Sequence, residues 1–118
     1  MVGMFLFPEN FPEVSEIPSP ALLFYPGRIQ RNIDRMIAIA RDVGRLRPHI
    51  KTHKSAEIIR MQMNSGIQKF KSATLAEAEL LGKEKANNVL LAMQPVGPEI
   101  RQYLKTVSYT HLTLPTKA

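Results

Sequence analysis

Two histidines and three basic side chains occur within eight consecutive positions, in the order Arg47-Pro48-His49-Ile50-Lys51-Thr52-His53-Lys54. A lysine whose neighbours are cationic, or can become so, gives up its proton more readily. The free amine can then attack a carbonyl carbon and form a Schiff base. The residue types of this segment therefore predict carbonyl chemistry on a lysine side chain.

We expect residues 47–54 to form a short strand, on which successive side chains alternate between two faces. If Ile50 packs beneath the flanking helices, Lys51 lies on the inner face with both histidines beside it. Lys54 would then belong to the end of the strand or to the next turn. The inner face would carry Arg47, His49, Lys51 and His53, and the outer face Pro48, Ile50, Thr52 and Lys54.

Two other interpretations of the same residues remain open. The spacing from His49 to His53 would place two metal ligands on one face of a helix, but Pro48 disfavours the helical conformation at Arg47. A basic surface loop without chemistry is also compatible with this composition, because charged clusters are usually solvated.

The string RPHIKTHK is preceded by RIQRNIDRMIAIA and followed by KFKSATLAEAELLG. Together these strings resemble the N-terminal part of the alanine-racemase-fold pyridoxal-phosphate enzymes, and most closely the D-threonine aldolase and D-serine dehydratase group. The resemblance covers residues 17–106. It implies that Lys51 carries pyridoxal 5'-phosphate as a Schiff base and that His49 and His53 contact the cofactor or tune the lysine.

Hydrophobic periodicity and capping residues place these motifs on secondary structure elements. We expect a first helix over residues 28–43, ended by Gly44. A second is expected over residues 55–65, capped by Ser55. A third is expected from a Thr74–Glu77 capping box to about residue 87. A last helix is expected over 98–105. Strands are expected over 21–25, 67–72 and 89–92, and the loop at 93–97 makes Gln94 a weak site candidate.

The alternation of these helices and strands predicts an α/β fold with a parallel sheet. The 118 residues complete about three βα units, whereas a (β/α)8 TIM barrel needs about 250 residues. We therefore expect about the first three units of a partial barrel. By the resemblance, the strand at 21–25 would belong to a C-terminal β domain. An open third of a barrel leaves unpaired edges, so we expect the fragment to be unstable and inactive.

Three segments follow from this organisation. Residues 1–20 predict an extended N-terminal arm, in which the proline-rich residues 8–20 are expected to lack regular structure. Residues 21–106 predict the barrel part. Residues 107–118 are threonine-rich and break the preceding helical pattern. They are similar to a translated sequencing adapter, so we expect a non-native tail. A genuine irregular extension is the alternative.

Composition narrows the classes of partner. The net charge of +6 comes from dispersed basic residues without interleaved aromatic side chains, so we expect no nucleic-acid binding. The absence of cysteine excludes disulfides and cysteine zinc sites within these residues. No apolar run approaches the roughly 18 residues of a membrane span, so we expect no membrane association and a cytoplasmic protein.

The resemblance implies a pyridoxal-phosphate-dependent lyase that acts on D-3-hydroxy amino acids. Cleavage of the Cα–Cβ bond would make it an aldolase, and loss of the β-hydroxyl a dehydratase. A divalent metal in the complete enzyme would use ligands outside this chain, and a homodimer is compatible with the family. Two alternatives stay open: a non-catalytic pyridoxal-phosphate-binding barrel protein and a basic nucleic-acid-binding module.

Overall fold

The computed structural model describes residues 4–6, 14–108 and 112–114, which contain both strands and helices. The strands are β1 (Met4–Leu6), β2 (Leu22–Phe24), β3 (Lys69–Ser72), β4 (Asn88–Leu91) and β5 (Leu112–Thr113). The helices are α1 (Pro26–Ala40), α2 (Ala56–Asn64), α3 (Leu75–Lys83) and α4 (Glu99–Val107).

Three of the strands form one parallel sheet in the order β3-β4-β5. An additional parallel bridge joins His49 to Lys71 on the free edge of β3. Helix α3 lies between β3 and β4 in the chain, and α4 lies between β4 and β5. The predicted α/β class with a parallel sheet is therefore confirmed for the described residues.

A separate two-stranded parallel sheet pairs β1 with β2, so that Phe5 lies opposite Leu23. The expectation of no regular structure over residues 8–20 is wrong at a short 3-10 helix, Val14–Glu16. Strand β1 lies before that segment, within the predicted extended arm. The backbone groups of residues 4–6 find partners on β2, and prolines later in the arm do not prevent this pairing.

The core lies between the helices and one face of the three-stranded sheet. Phe70 of β3 and Val89 and Leu91 of β4 point to that face and are buried. The opposite face carries Lys69, Lys71, Asn88 and Leu90, because residues paired across parallel strands share a face. The helices complete the core with Ile33, Ile59, Leu75, Ala78 and Leu81.

Helix α1 begins and ends earlier than predicted. Pro26 occupies the first turn, where a missing N–H costs nothing. The helix ends at Ala40, where Arg41 adopts a left-handed conformation with φ of 64° and donates its N–H to Ile37. Gly44 is therefore not the terminator. Its N–H binds the Asp42 carboxylate at 2.8 Å within a separate 3-10 helix.

The predicted cap of α2 is confirmed, since Ser55 Oγ accepts the N–H of Ile58 at 3.3 Å. Helix α3 ends at Lys83 rather than near residue 87, because Lys85 turns left-handed with φ of 62°. Helix α4 continues to Val107, two residues beyond the expected end. Strand β3 begins at Lys69, and the preceding Ile67 is buried without belonging to a strand.

The Ile50 side chain anchors the segment that carries Lys51, because it is fully buried immediately before that lysine. We expect Ile50→Ala to lower the free energy of unfolding by about 2–5 kcal/mol through lost burial and a residual cavity. Ile39 is a matched control, since it is 76% exposed on α1, and Ile39→Ala should cost less than about 0.5 kcal/mol. Urea unfolding followed by circular dichroism measures both, and equal losses would contradict the anchoring role.

Candidate active site

The segment around Lys51 is a strand end followed by a turn, and not the strand predicted over residues 47–54. The N–H of Lys71 donates to the carbonyl of Pro48 at 2.8 Å, which forms the bridge at His49. A 3-10 helix, Ile50–Thr52, follows at once. The carbonyl of Ile50 accepts the N–H groups of His53 at 3.3 Å and Lys54 at 2.8 Å.

A side-chain cap explains why the strand stops at His49. The Nδ1 atom of His49 accepts the backbone N–H of Lys51 at 3.2 Å. That N–H is therefore turned away from the pairing direction of a strand, while Ile50 is held in the core. As a result the Lys51 side chain is exposed at the carboxyl end of the bridged segment. The predicted alternation of faces applies as far as His49, which shares a face with Lys71, and not beyond.

His53 repeats the same capping arrangement. Its Nδ1 atom accepts the backbone N–H of Ser55 at 3.0 Å, so the ring proton resides on Nε2. That Nε2 atom is buried and has no hydrogen-bond partner among the described residues. Ser55 in turn donates its hydroxyl proton to Glu57 at 2.9 Å. His53 is thus fixed by the start of α2 while one donor remains unused.

Burial lowers the pKa of both histidines. Burial has the largest effect on the pKa of His49, and the charges of Lys51 and Lys71 lower it further, against the opposing charge of Glu77. Burial also lowers the pKa of His53, again opposed by Glu77. Both rings are therefore neutral at pH 7, as their role as acceptors at Nδ1 requires.

Glu77 is a buried carboxylate at the start of α3, with only 5% of its side chain exposed. Its Oε2 atom accepts the N–H of Ala73 at 2.6 Å, and its Oε1 atom lies 3.7 Å from the Lys54 ammonium. Thr74 accepts the N–H of Glu77 at 3.2 Å as predicted. The return bond of the capping box, however, goes to Ala73 and not to Thr74. Glu77 therefore ties the turn after Lys51 to the end of β3.

Lys54 contacts Glu77 from a backbone conformation that is unfavourable for lysine. Its φ of 49° lies in the left-handed region, where a side chain costs about 1–2 kcal/mol. The Lys54 side chain is 63% exposed, so its ion pair with Glu77 is partly screened by water. The N–H of Lys54 also donates to Ile50, which holds the turn closed.

Arg47 fixes the other end of the bridged segment. Its guanidinium donates from Nη1 to the carbonyl of Phe70 at 3.2 Å and to Asn88 Oδ1 at 2.6 Å. These bonds reach across β3 to β4, so three neighbouring segments are held in register. Arg47 therefore has a structural partner set and is not a free cation at the site.

Gln94 lies apart from the lysine turn. It lines a cavity of about 320 Å³ at the carboxyl ends of β3 and β4, together with Ala73, Thr74, Met93 and Glu99. This is the strand end at which barrel enzymes place binding groups. The structure thus places Gln94 at the carboxyl ends of the strands, as expected. His49, Lys51 and His53 lie together on a different segment.

Within the described residues, no cluster of three or more histidine, aspartate or glutamate side chains has a metal-binding arrangement. The helical His49–His53 pair considered from the sequence is wrong, since the two residues flank a 3-10 helix and each directs Nδ1 to a backbone N–H.

The described helices include none with the length and apolar character needed to span a membrane.

Comparisons of the sequence and of the structure with known proteins find the same kind of enzyme. The chain is 33% identical over 90 residues to D-threo-3-hydroxyaspartate dehydratase from Delftia sp. (strain HT23), an alignment that covers 75% of this chain and 24% of the relative. A solved structure of a D-threo-3-hydroxyaspartate dehydratase variant, with one histidine replaced by alanine, matches with a TM-score of 0.68 and 31% identity.

The predicted resemblance to the alanine-racemase-fold pyridoxal-phosphate enzymes is confirmed. The structural match covers 79% of this chain and 24% of the solved chain, so the chain spans about a quarter of the length of these relatives. No protein-family model matches the sequence.

The residues around Lys51 fit one end of the cofactor that alanine-racemase-fold enzymes use. The aldehyde of pyridoxal phosphate requires an accessible amine, which Lys51 supplies, because its side chain is exposed and no acidic partner holds it within the described residues. The unused donor at His53 Nε2 could serve a polar acceptor. The phosphate end has no comparable site among the residues described.

The sequence does not predict two side chains near the lysine turn as site residues. The capping-box pattern accounts for Glu77 only as a helix cap, whereas its distance to Lys54 shows a second role. Lys71 is the other residue. The alternation in Lys69-Phe70-Lys71-Ser72 was the available signal, because an apolar residue between two lysines on a strand directs both lysines to the face opposite the core.

The histidines make stability depend on pH. Because the pKa of folded His53 lies below its ordinary value of 6.5, the unfolded chain binds a proton more readily. The contribution of His53 to the free energy of unfolding is complete above about pH 6.5 and declines as the pH falls towards the folded pKa. We expect His53→Asn, which keeps an acceptor two residues before Ser55, to lose less unfolding free energy than the parent between about pH 7.5 and 5.

Urea titrations across that pH range test this expectation, with His49→Asn and the double variant as controls. The double variant should lose least, since the pKa of His49 is lowered in the same direction. Glu57, whose pKa is also lowered from 4.5, contributes below this range. Identical pH dependence in the parent and the double variant would contradict the assignment of neutral buried rings.

Proposed function

We propose that this chain is the N-terminal part of a pyridoxal-phosphate-dependent lyase that acts on D-3-hydroxy amino acids, with Lys51 as the residue that holds the cofactor. The observation that carries the proposal is the position of Lys51. It is an exposed amine at the carboxyl end of a sheet-paired segment, on a turn fixed by Ile50, His49 and Glu77. The similarity to D-threo-3-hydroxyaspartate dehydratase supports it.

The fold that we propose for the complete enzyme is a (β/α)8 barrel. Its support lies in the order of the paired segments before Thr106, because the His49 bridge, β3 and β4 are parallel neighbours in chain order. Helices α2 and α3 occupy the connections between them. This is the pattern expected of successive βα units. The strand β2 would then belong to a second β domain.

The residues of the turn have separable tasks in this proposal. When bound, pyridoxal phosphate would supply an electron sink that stabilises negative charge at the substrate Cα. Lys51 would hold the cofactor carbonyl until the substrate amine takes its place, and would then be free to accept a proton. His49 and His53 are neutral and capped at Nδ1, so only Nε2 of each ring is left to donate a hydrogen bond. The Nε2 atom of His53 is buried in this structure.

The name of the relative favours dehydration over aldol cleavage within this proposal. In a dehydration the substrate loses its α-proton and its β-hydroxyl together as water. The unsaturated amine that remains takes up water and yields an oxo acid and ammonia, so the atoms balance. Cleavage of the Cα–Cβ bond, as in D-threonine aldolase, and a D-serine substrate are the alternatives that product analysis would distinguish.

Replacement of Lys51 tests the assignment. In the full-length enzyme loaded with pyridoxal phosphate, we expect Lys51→Ala to abolish the visible absorbance of the lysine-bound cofactor, because Lys51 is the exposed amine at the carboxyl end of the bridged segment. Borohydride reduction followed by peptide mass mapping should place the cofactor on Lys51 in the parent protein.

Lys54→Ala is the matched control, since Lys54 lies three residues away and is held by Glu77. It should keep both the absorbance and the label on Lys51. Retention of the absorbance by Lys51→Ala, with the label on Lys54, would overturn the assignment of the cofactor-binding lysine.

We also propose that residues 107–118 are not native to the gene product and that residues 21–106 are the barrel part. The change in composition after Thr106 supports this proposal. The predicted break in the helical pattern after Thr106 is wrong at Val107, where α4 ends, and β5 lies within these residues. An independent reading of the source DNA across the Thr106–Val107 junction should continue into further βα units. A DNA sequence that encodes residues 107–118 and then a stop codon would contradict it.

A further inference from the structure

The face of the sheet opposite the core carries several cations. We define this cationic face by its residues, which are Arg47, His49, Lys69, Lys71, Asn88 and Leu90. Two of its cations have protein partners. Arg47 binds Phe70 and Asn88, and Lys69 donates to the carbonyl of Gly44 at 2.8 Å.

Lys71 differs from these two cations. Its side chain is half-buried, and its ammonium makes no hydrogen bond or ion pair with any described residue. Lys71 pairs across the bridge with His49, which precedes Lys51 by two residues. Lys71 also lies next to the carboxyl end of β3. Both lysines are close enough to His49 for their charges to act on its ring.

Among the residues that the structure describes, the charge of Lys71 is therefore not compensated. The carboxylate that acts on His49 is Glu77, and Glu77 is already occupied by Lys54 and by the N–H of Ala73. Lys51 and Lys71 both carry positive charge near the His49 ring, and like charges repel each other. The half-buried position of Lys71 makes that repulsion stronger than it would be in water. A bound anion at this strand end would offset that repulsion.

The position of Lys51 near Lys71 indicates which kind of anion Lys71 binds. On the proposed function, Lys51 holds the cofactor aldehyde, and the substrate amine takes its place there. The group that extends from the substrate beside that amine is its side chain. Cofactor phosphates in barrels are commonly bound by the last strands, so a phosphate at Lys71, on an early strand, is less favoured than a carboxylate of the substrate.

We propose that Lys71 binds the side-chain carboxylate of an acidic D-3-hydroxy amino acid and so makes the enzyme selective for substrates of the 3-hydroxyaspartate class over neutral ones. This inference rests on the proposed function and deepens it. Lys71 is a specificity-determining residue, and the ammonium-to-carboxylate contact changes affinity only for ligands that carry the second negative charge.

The test uses the full-length enzyme loaded with pyridoxal phosphate and two amino acids that lack a β-hydroxyl. D-aspartate carries the side-chain carboxylate and D-alanine does not. Titration of each amino acid, followed by the change in visible absorbance as it replaces Lys51, gives both dissociation constants. We expect Lys71→Gln to weaken D-aspartate by about 10- to 100-fold relative to D-alanine, the range for a charge-assisted hydrogen bond.

Lys69→Gln is the matched control, because Lys69 is a cation on the same strand and face with its own partner at Gly44. It should leave the ratio of the two constants unchanged, as should Lys71→Arg, which keeps the charge and shows that the position tolerates substitution. The ratio of kcat/KM for D-3-hydroxyaspartate to that for D-serine should fall in Lys71→Gln by a similar factor.

The alternatives give different results. Equal weakening of D-aspartate and D-alanine would show that Lys71 binds the α-carboxylate, and weaker binding of the cofactor with an unchanged ratio would show a phosphate contact. Either result overturns the proposal and leaves the proposed function intact. If the parent enzyme gains no visible absorbance with pyridoxal phosphate, both proposals fall together.

Discussion

The parallel bridge between His49 and Lys71 is the constraint on which the arrangement of the site depends. It is formed at one residue only, yet it fixes where the chain leaves the sheet and turns. Burial of Ile50 immediately afterwards prevents the segment from rotating about this bridge. The exposed amine of Lys51 therefore occurs at a defined distance along the sheet edge, although its own side chain makes no stabilising contact that the structure records.

The helices show which parts of the fold local sequence determines. The apolar stripe of α1 and the serine and threonine caps of α2 and α3 depend on residues within one or two turns of each other. The sequence therefore predicts the existence of these helices correctly. The ends of these helices depend on which nearby group accepts each backbone N–H. Asp42 takes the N–H of Gly44, so a glycine that could end a helix instead lies inside the next turn.

The lysine segment shows what local sequence cannot determine. An alternating pattern over residues 47–54 is compatible with a strand, but the N–H groups after His49 are taken by an imidazole and by the carbonyl of Ile50. That outcome depends on Ile50 reaching a core supplied by distant residues. For the same reason Glu77 appeared to be only a helix cap, since its contact with Lys54 spans 23 positions of the sequence and requires the fold to exist first.

The left-handed backbone at Lys54 has an implication for how this protein can diverge. Glycine would adopt φ of 49° without steric cost but would leave the buried Glu77 carboxylate without its cation. Lysine supplies the charge and retains the steric cost. No single amino acid satisfies both demands, so position 54 is an evolutionary compromise, and a lineage that relieved the backbone there would have to replace the acid at position 77 as well.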